Sequence, residues 1–127
     1  MILTAHQPTY LPWLGLFDKI ARAALFCMFD FVPMEDSGFD NRNRIKAATG
    51  PQWLTVPVRR SREPLIRDVR ICTDQPWQRK HWRAIELAYA KAPFFEAYRD
   101  ELHAVYTAPW ERLADLNLVL TTWLMEK

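Results

Sequence analysis

Glycine, serine, cysteine and long apolar runs are all scarce in this sequence, and each scarcity removes a class of function. Its 127 residues hold three glycines, Gly15, Gly38 and Gly50. Neither the Gly-x-Gly-x-x-Gly turn of a dinucleotide site nor a Walker phosphate loop can be written with them. The two serines, Ser37 and Ser61, both lie outside any Gly-x-Ser-x-Gly elbow. Three histidines (His6, His81, His103) and two cysteines (Cys27, Cys72) show no metal-ligand spacing, so no metal site is expected. No stretch approaches the ~18 apolar residues of a membrane span. The start, Met1-Ile2-Leu3-Thr4-Ala5-His6, lacks the basic, then apolar, pattern of a secretory leader. The expectation is a soluble cytoplasmic protein without a membrane span.

Apolar residues make up 50% of the chain, with six tryptophans, seven phenylalanines and four tyrosines. One core can therefore be built without disulfides, since each large ring buries roughly 150–250 Å². Cys27 lies in the run Leu25-Phe26-Cys27-Met28-Phe29, where a buried, unreactive thiol is expected. The length suits a single domain over residues 1–127, with an α/β part (1–72) followed by a helical part (73–127).

Local pattern supplies the elements. Ile2 to Ala5 reads as a strand buried on both faces. Pro12 suits the first turn of a helix running to about Ala23, with Leu14, Phe17, Ile20, Ala21 and Ala24 at helical spacing. Leu25 to Val32 is a second apolar strand. Strand, helix, strand at this spacing predicts a right-handed, Rossmann-like βαβ start. Residues 33–50 show no sustained period and read as a long loop, of the kind that more often binds than merely connects. Trp53 to Val58 is a third strand, at an edge because of Pro57, and Arg67 to Cys72 a short fourth. Three helices follow, opening near Gln75, Pro93 and Pro109. The predicted fold is α/β: a small three- to four-stranded, mainly parallel sheet followed by about three helices. Helical register continues to Lys127 without a glycine cap, and the sheet is small for so many helices. A missing C-terminal half or a dimer is therefore expected.

Open parallel α/β sheets bind ligands beyond the carboxyl ends of their strands. His6, Gln7 and Tyr10 follow the first strand, and Asp30 closes the second. The 33–50 loop carries Asn41, Arg42, Asn43 and Arg44. An imidazole titrating near ~6.5 in water suits proton transfer at neutral pH, so His6 is a general base or a hydrogen-bonded turn residue. Gln7 orients a substrate carbonyl or stabilises the turn; Asp30 binds a ribose or amine, or caps the strand end. These three are the catalytic candidates. Tyr10, Lys19, Asn41, Arg42, Asn43 and Arg44 are the substrate-binding candidates, though Lys19 also reads as a plain surface lysine. Paired arginines grip phosphate or carboxylate bidentately, unless Glu35, Asp36 or Asp40 neutralises them. No cofactor is indicated.

The net charge of +2 is unevenly spread: the balances over residues 1–41, 42–70 and 71–127 are −3, +6 and −1. The middle segment can attract an anionic, phosphorylated or nucleotide-linked small molecule. It also leaves open a nucleic-acid-binding module using residues 42–70 with Trp53, although no nucleic-acid motif is present. Arg59, Arg60 and Arg62 read as a solvated turn with no site role.

The run His6-Gln7-Pro8-Thr9-Tyr10-Leu11-Pro12-Trp13-Leu14-Gly15 resembles the WbqC-like family. The likeness continues through Phe17-Asp18-Lys19-Ile20, Asn41-Arg42-Asn43-Arg44-Ile45-Lys46, Trp53-Leu54-Thr55-Val56-Pro57-Val58 and, later, Trp82, Ala88-Tyr89 and Ala92-Pro93-Phe94-Phe95. The resemblance implies the N-terminal half of a longer bacterial protein whose second half is rich in glycine and tyrosine. It further implies a transferase of acyl or aminoacyl groups, glycine among them, in O-antigen, lipopolysaccharide or related biosynthesis. The opening is also loosely similar to nucleotidyltransferase-type folds. However, Trp13-Leu14-Gly15-Leu16 stands where their histidine-bearing helix start would lie, and it holds neither histidine.

Overall fold

The computed structural model describes residues 1–59 and 65–127. Arg60 and Arg62, expected in a solvated turn, lie outside the described residues. In chain order the elements are β1 (Leu3–His6), α1 (Leu14–Ala21), β2 (Leu25–Met28), β3 (Arg42–Ala47), β4 (Gly50–Thr55), a 3₁₀ turn (Ile66–Asp68), α2 (Trp77–Tyr89), α3 (Phe95–Thr107) and α4 (Leu113–Met125).

The sheet is not the one the pattern predicts. β1 and β2 pair in parallel, with Leu3 opposite Leu25 and His6 opposite Met28. β3 and β4 form a separate antiparallel hairpin, with Arg44 opposite Trp53. Two sheets of two strands thus replace a three- to four-stranded, mainly parallel, Rossmann-like sheet. Two local causes account for the difference. The segment expected to be loop supplies β3, which takes β4 as its partner. The expected fourth strand becomes a 3₁₀ turn plus two single bridges, Val58 to Ile71 and Arg70 to Arg112, so nothing extends the parallel pair.

β3 hides its strand character behind polar residues. Its alternation is intact: Ile45 is buried while Arg44 and Lys46 are exposed. The inward position before Ile45, however, is Asn43 rather than an aliphatic residue. Asn43 fits because its Nδ2 donates to the carbonyls of Leu11 (2.7 Å) and Tyr10 (3.4 Å). The hairpin closes through Ala48 and Thr49 to Gly50, whose φ of 121° is open only to glycine at low cost.

The core lies between this hairpin and the three C-terminal helices. Tyr10, Val56, Leu113, Leu116 and Leu120 are all 0% exposed, and Trp77, Ile85 and Tyr106 are nearly so. Burying each aliphatic side chain is worth ~1.5–3 kcal/mol, and α4 alone contributes three. The opening βαβ unit stands apart from this cluster. Leu16 anchors α1 and Thr4 is buried, but Leu3 (61%), Leu25 (55%) and Leu14 (86%) remain exposed. β1 is thus covered on one face only, not two. Cys27, expected to be buried, is exposed on the same open face, because it sits opposite Ala5 in the pair. Among the described residues no helix is long and apolar enough to cross a membrane.

Candidate functional site

The 33–41 loop runs into β3, and near that end it is tied to the segment after β1 through Gln7 and Asp40. Gln7 Nε2 donates to Asp40 Oδ1 (3.0 Å), and the Glu35 N–H donates to Asp40 Oδ2 (3.0 Å). Asp40 is 0% exposed, and Asn117 Nδ2 on α4 holds its main-chain carbonyl at 2.8 Å. Burial pushes the Asp40 carboxyl above its ordinary range; the Glu35 and Gln7 hydrogen bonds, and the charge of His6, act against that rise. The sequence does not single out Asp40 except as a possible neutraliser of the arginines. It neutralises neither and instead fixes Gln7.

His6 ends β1 half-buried, with its Nδ1 2.7 Å from the Gln7 carbonyl. A carbonyl only accepts, so Nδ1 carries the proton, and in the neutral ring Nε2 keeps its lone pair. Phe29 N–H donates to the His6 carbonyl, and Lys19 Nζ to the Ala5 carbonyl (2.9 Å). Lys19 therefore sits beside the same strand end as His6. Asp30 is half-buried two residues beyond β2, and its carbonyl accepts the Arg67 N–H.

Arg42 grips the far side of the loop, with Nε donating to the Gly38 carbonyl (3.2 Å) and a terminal nitrogen to that of Ser37 (3.0 Å). Its guanidinium carbon lies 4.7 Å from the centre of the Trp53 ring, and that of Arg44 lies 5.2 Å from it. Trp53 also stacks on Phe39, with centroids 6.1 Å apart. Arg42, Arg44 and Lys46 alternate along the outer face of β3. Among the described residues none of the three is in an ion pair. Asn41 and Asn43 point into structure: Asn41 Nδ2 donates to the Val56 carbonyl (2.9 Å), and Asn43 spans the Tyr10–Leu11 turn. The pairing of Trp53 with the arginines follows from the hairpin, and the sequence shows it only once the hairpin is known.

Tyr10 leaves the strand-end rim for the core. Its hydroxyl is 2.8 Å from His81 Nδ1 and 2.6 Å from the Tyr106 hydroxyl, while His81 Nε2 is 3.0 Å from the Thr55 carbonyl. One set of proton positions satisfies this chain with a neutral ring. His81 Nε2–H donates to Thr55, Tyr10 O–H donates to His81 Nδ1, and Tyr106 O–H donates to Tyr10. Burial lowers the His81 pKa to about 4, keeping it neutral, and raises both tyrosines. Nothing in the helical spacing around His81 distinguishes it from the apolar residues that share its face.

Two clefts flank β3. One, of about 620 Å³, runs from the Leu11–Leu14 turn to α2, α3 and the end of α4; the other, of about 690 Å³, follows β3 to the hairpin turn. Asn43 and Arg44 line both, whereas His6, Gln7 and Asp30 line neither. Among the described residues no group of three or more histidine, cysteine or acidic side chains could hold a metal ion.

Residues 7–127 match the model of the WbqC-like protein family. An uncharacterised protein of Mycobacterium tuberculosis (strain ATCC 25618 / H37Rv) is 39% identical over 107 residues, covering 79% of this chain and 44% of the relative. The chain therefore spans less than half the length of that relative. No solved structure matches.

Proposed function

The chain belongs to the WbqC-like protein family, and we propose that it forms the anion-binding part of a transferase of acyl or aminoacyl groups. The substrate is a phosphorylated or nucleotide-linked molecule of bacterial cell-surface polysaccharide assembly. One observation carries this reading: two arginines lie over one exposed tryptophan, with no carboxylate paired to either among the described residues. Guanidinium groups braced on an aromatic face keep their donor edges free for phosphate oxygens. Arg42 spends donors on Ser37 and Gly38, so Arg44 is the freer anion ligand. His6 Nε2 supplies a lone pair that can accept the proton of an attacking amine or hydroxyl as its bond to the acyl carbon forms. The donor's bond from that carbon to its leaving group breaks, and the leaving group departs with the electron pair. The buried Asp40 keeps Gln7 and the loop in place beside it.

The test is a melting experiment with uridine diphosphate and a uridine-diphosphate sugar. Ligand a hundredfold above its Kd stabilises by ~2.7 kcal/mol, a rise of about 10 °C for a domain of this size. Arg44→Ala is expected to abolish the rise with little change in the melting point of the free protein. No shift with either ligand, combined with oligonucleotide binding that weakens steeply with salt, would replace this reading with the nucleic-acid one.

A second reading, in which a further segment or a second copy completes the domain, is favoured by the open β1–β2 face and the greater length of the relative. Parallel strands are ordinarily covered on both faces. Sedimentation of the chain alone, compared with a Leu3→Glu, Leu25→Glu variant, tests self-association. A monomer in both cases rules out the second copy.

A further inference from the structure

The cleft of about 620 Å³ has a composition that the anion-binding reading does not use. Its volume falls within the ~300–1,000 Å³ of small-molecule sites. Large apolar rings line it from several elements: Trp13 from the turn, Tyr89 from α2, Phe94 and Tyr98 at and within the start of α3, and Trp123 from α4. Pro12, Ile45 and Ile85 are the buried members, while Phe94 is 73% and Trp13 64% exposed. Contiguous exposed apolar surface of this kind marks a binding site more often than a free surface. Arg44 is the one charged residue in the lining, and it also lines the groove along β3, which carries Lys46.

The lip of the cleft is built at a cost. Leu11 has φ 47°, a left-handed conformation that is unfavourable by ~1–3 kcal/mol for a residue with a side chain. Asn43 holds it there by accepting the Arg44 N–H at Oδ1 (2.8 Å) while Nδ2 donates to the Leu11 carbonyl. Gly15 completes the lip, since a Cβ there would occupy the space of the Trp13 ring. Strain, a bracing amide and a glycine together hold an exposed indole on an apolar cleft whose lining also includes Arg44.

We infer that this cleft takes the hydrocarbon chain of an anionic amphiphile whose phosphate or carboxylate is bound by Arg44. The inference rests on the Arg44 reading above and specifies its substrate class: a lipid-linked phosphate or a fatty acid. The two share an anionic head on an apolar chain. Apolar walls gain affinity with each methylene buried, and a bond to Arg44 fixes the position of the head.

The test titrates the protein with ethyl, hexyl and decyl phosphate, with decanoate and with decanol, all below micellar concentration. Binding is followed by calorimetry and by the tryptophan emission to which Trp13 and Trp123 contribute. Affinity is expected to rise about fourfold per methylene until the cleft is full, with a blue shift that Trp13→Phe diminishes. Leu14→Asp, at a position 86% exposed, should remove the chain-length dependence and leave ethyl phosphate binding unchanged. Arg44→Ala should weaken decyl phosphate at least tenfold and leave decanol unchanged. Decyl phosphate binding more tightly than decanoate assigns a lipid phosphate; the reverse assigns a fatty acid. Ethyl and decyl phosphate binding equally would overturn the cleft inference and leave the anion reading standing. Decanol binding as tightly as decyl phosphate would overturn the role of Arg44 here. Failure of decanoate and of every phosphate to bind would remove both.

Discussion

Three residues far apart in sequence, Tyr10, His81 and Tyr106, share one buried line of hydrogen bonds, and its chemistry sets how the domain responds to acid. His81 is neutral in the folded chain with a pKa near 4, while the unfolded histidine has its ordinary value of 6.5. Between those values the unfolded state binds the extra proton, so stability rises with pH across the window and falls as the solution is acidified through it. The loss from this residue amounts to ~3 kcal/mol by the bottom of the window. Urea denaturation between those two pH values should show this slope, and His81→Gln should flatten it. Tyr10→Phe leaves His81 Nδ1 and the Tyr106 hydroxyl without their shared partner, at a cost of ~1–3 kcal/mol. At this scale the sequence is an uneven guide. His6, Gln7 and Arg44 stand out because polar groups at strand ends and on long loops have few reasons to be there. Tyr10 stands out for the same reason yet serves the core, because its destination depends on His81 and Tyr106, which only folding brings to it.

Among the elements, the helices follow from the sequence and the hairpin does not. Trp77, His81 and Ile85 repeat at helical spacing and are all buried on α2. Leu113, Leu116 and Leu120 do the same on α4. β3 could not be found this way, because its inward Asn43 binds backbone instead of packing, and a strand written Arg-Asn-Arg-Ile-Lys-Ala shows a single large apolar inward residue. Its turn, by contrast, depends on one residue. No atom lies within 4 Å of the position a Cβ would take at Gly50, so Gly50→Ala isolates the backbone cost of φ 121°. The expected loss is ~1–3 kcal/mol, read as a lower denaturation midpoint with an unchanged slope. Glycine-specific loss without any clash would show that the hairpin holds β3, and with it Arg42 and Arg44, in register.

For the molecule as a whole, a strand–helix–strand opening and a helical second half could be read in advance, but how the sheet continues could not. Apolar alternation tells a strand which face to bury and says nothing of its neighbour, so the partner of Trp53 had to come from the three-dimensional arrangement. The same arrangement divides the protein energetically. The main cluster includes Tyr10, the hairpin and the helices, whereas β1, α1 and β2 lie outside it. Native-state hydrogen exchange should find the amides of β1 and β2 opening at a lower free energy than those of α4, which exchange through global unfolding. Equal protection of both would contradict this division. The boundary falls in the short stretch between His6 and Tyr10, so the proposed proton acceptor belongs to the looser piece and Arg44 to the firmer one. The Gln7–Asp40 hydrogen bond and the Asn117 contact to Asp40 join the two pieces at that boundary. On the proposed roles of His6 and Arg44, a molecule lying against Leu3 and Leu25 would act from the opposite face of the strands on how the two meet a shared ligand.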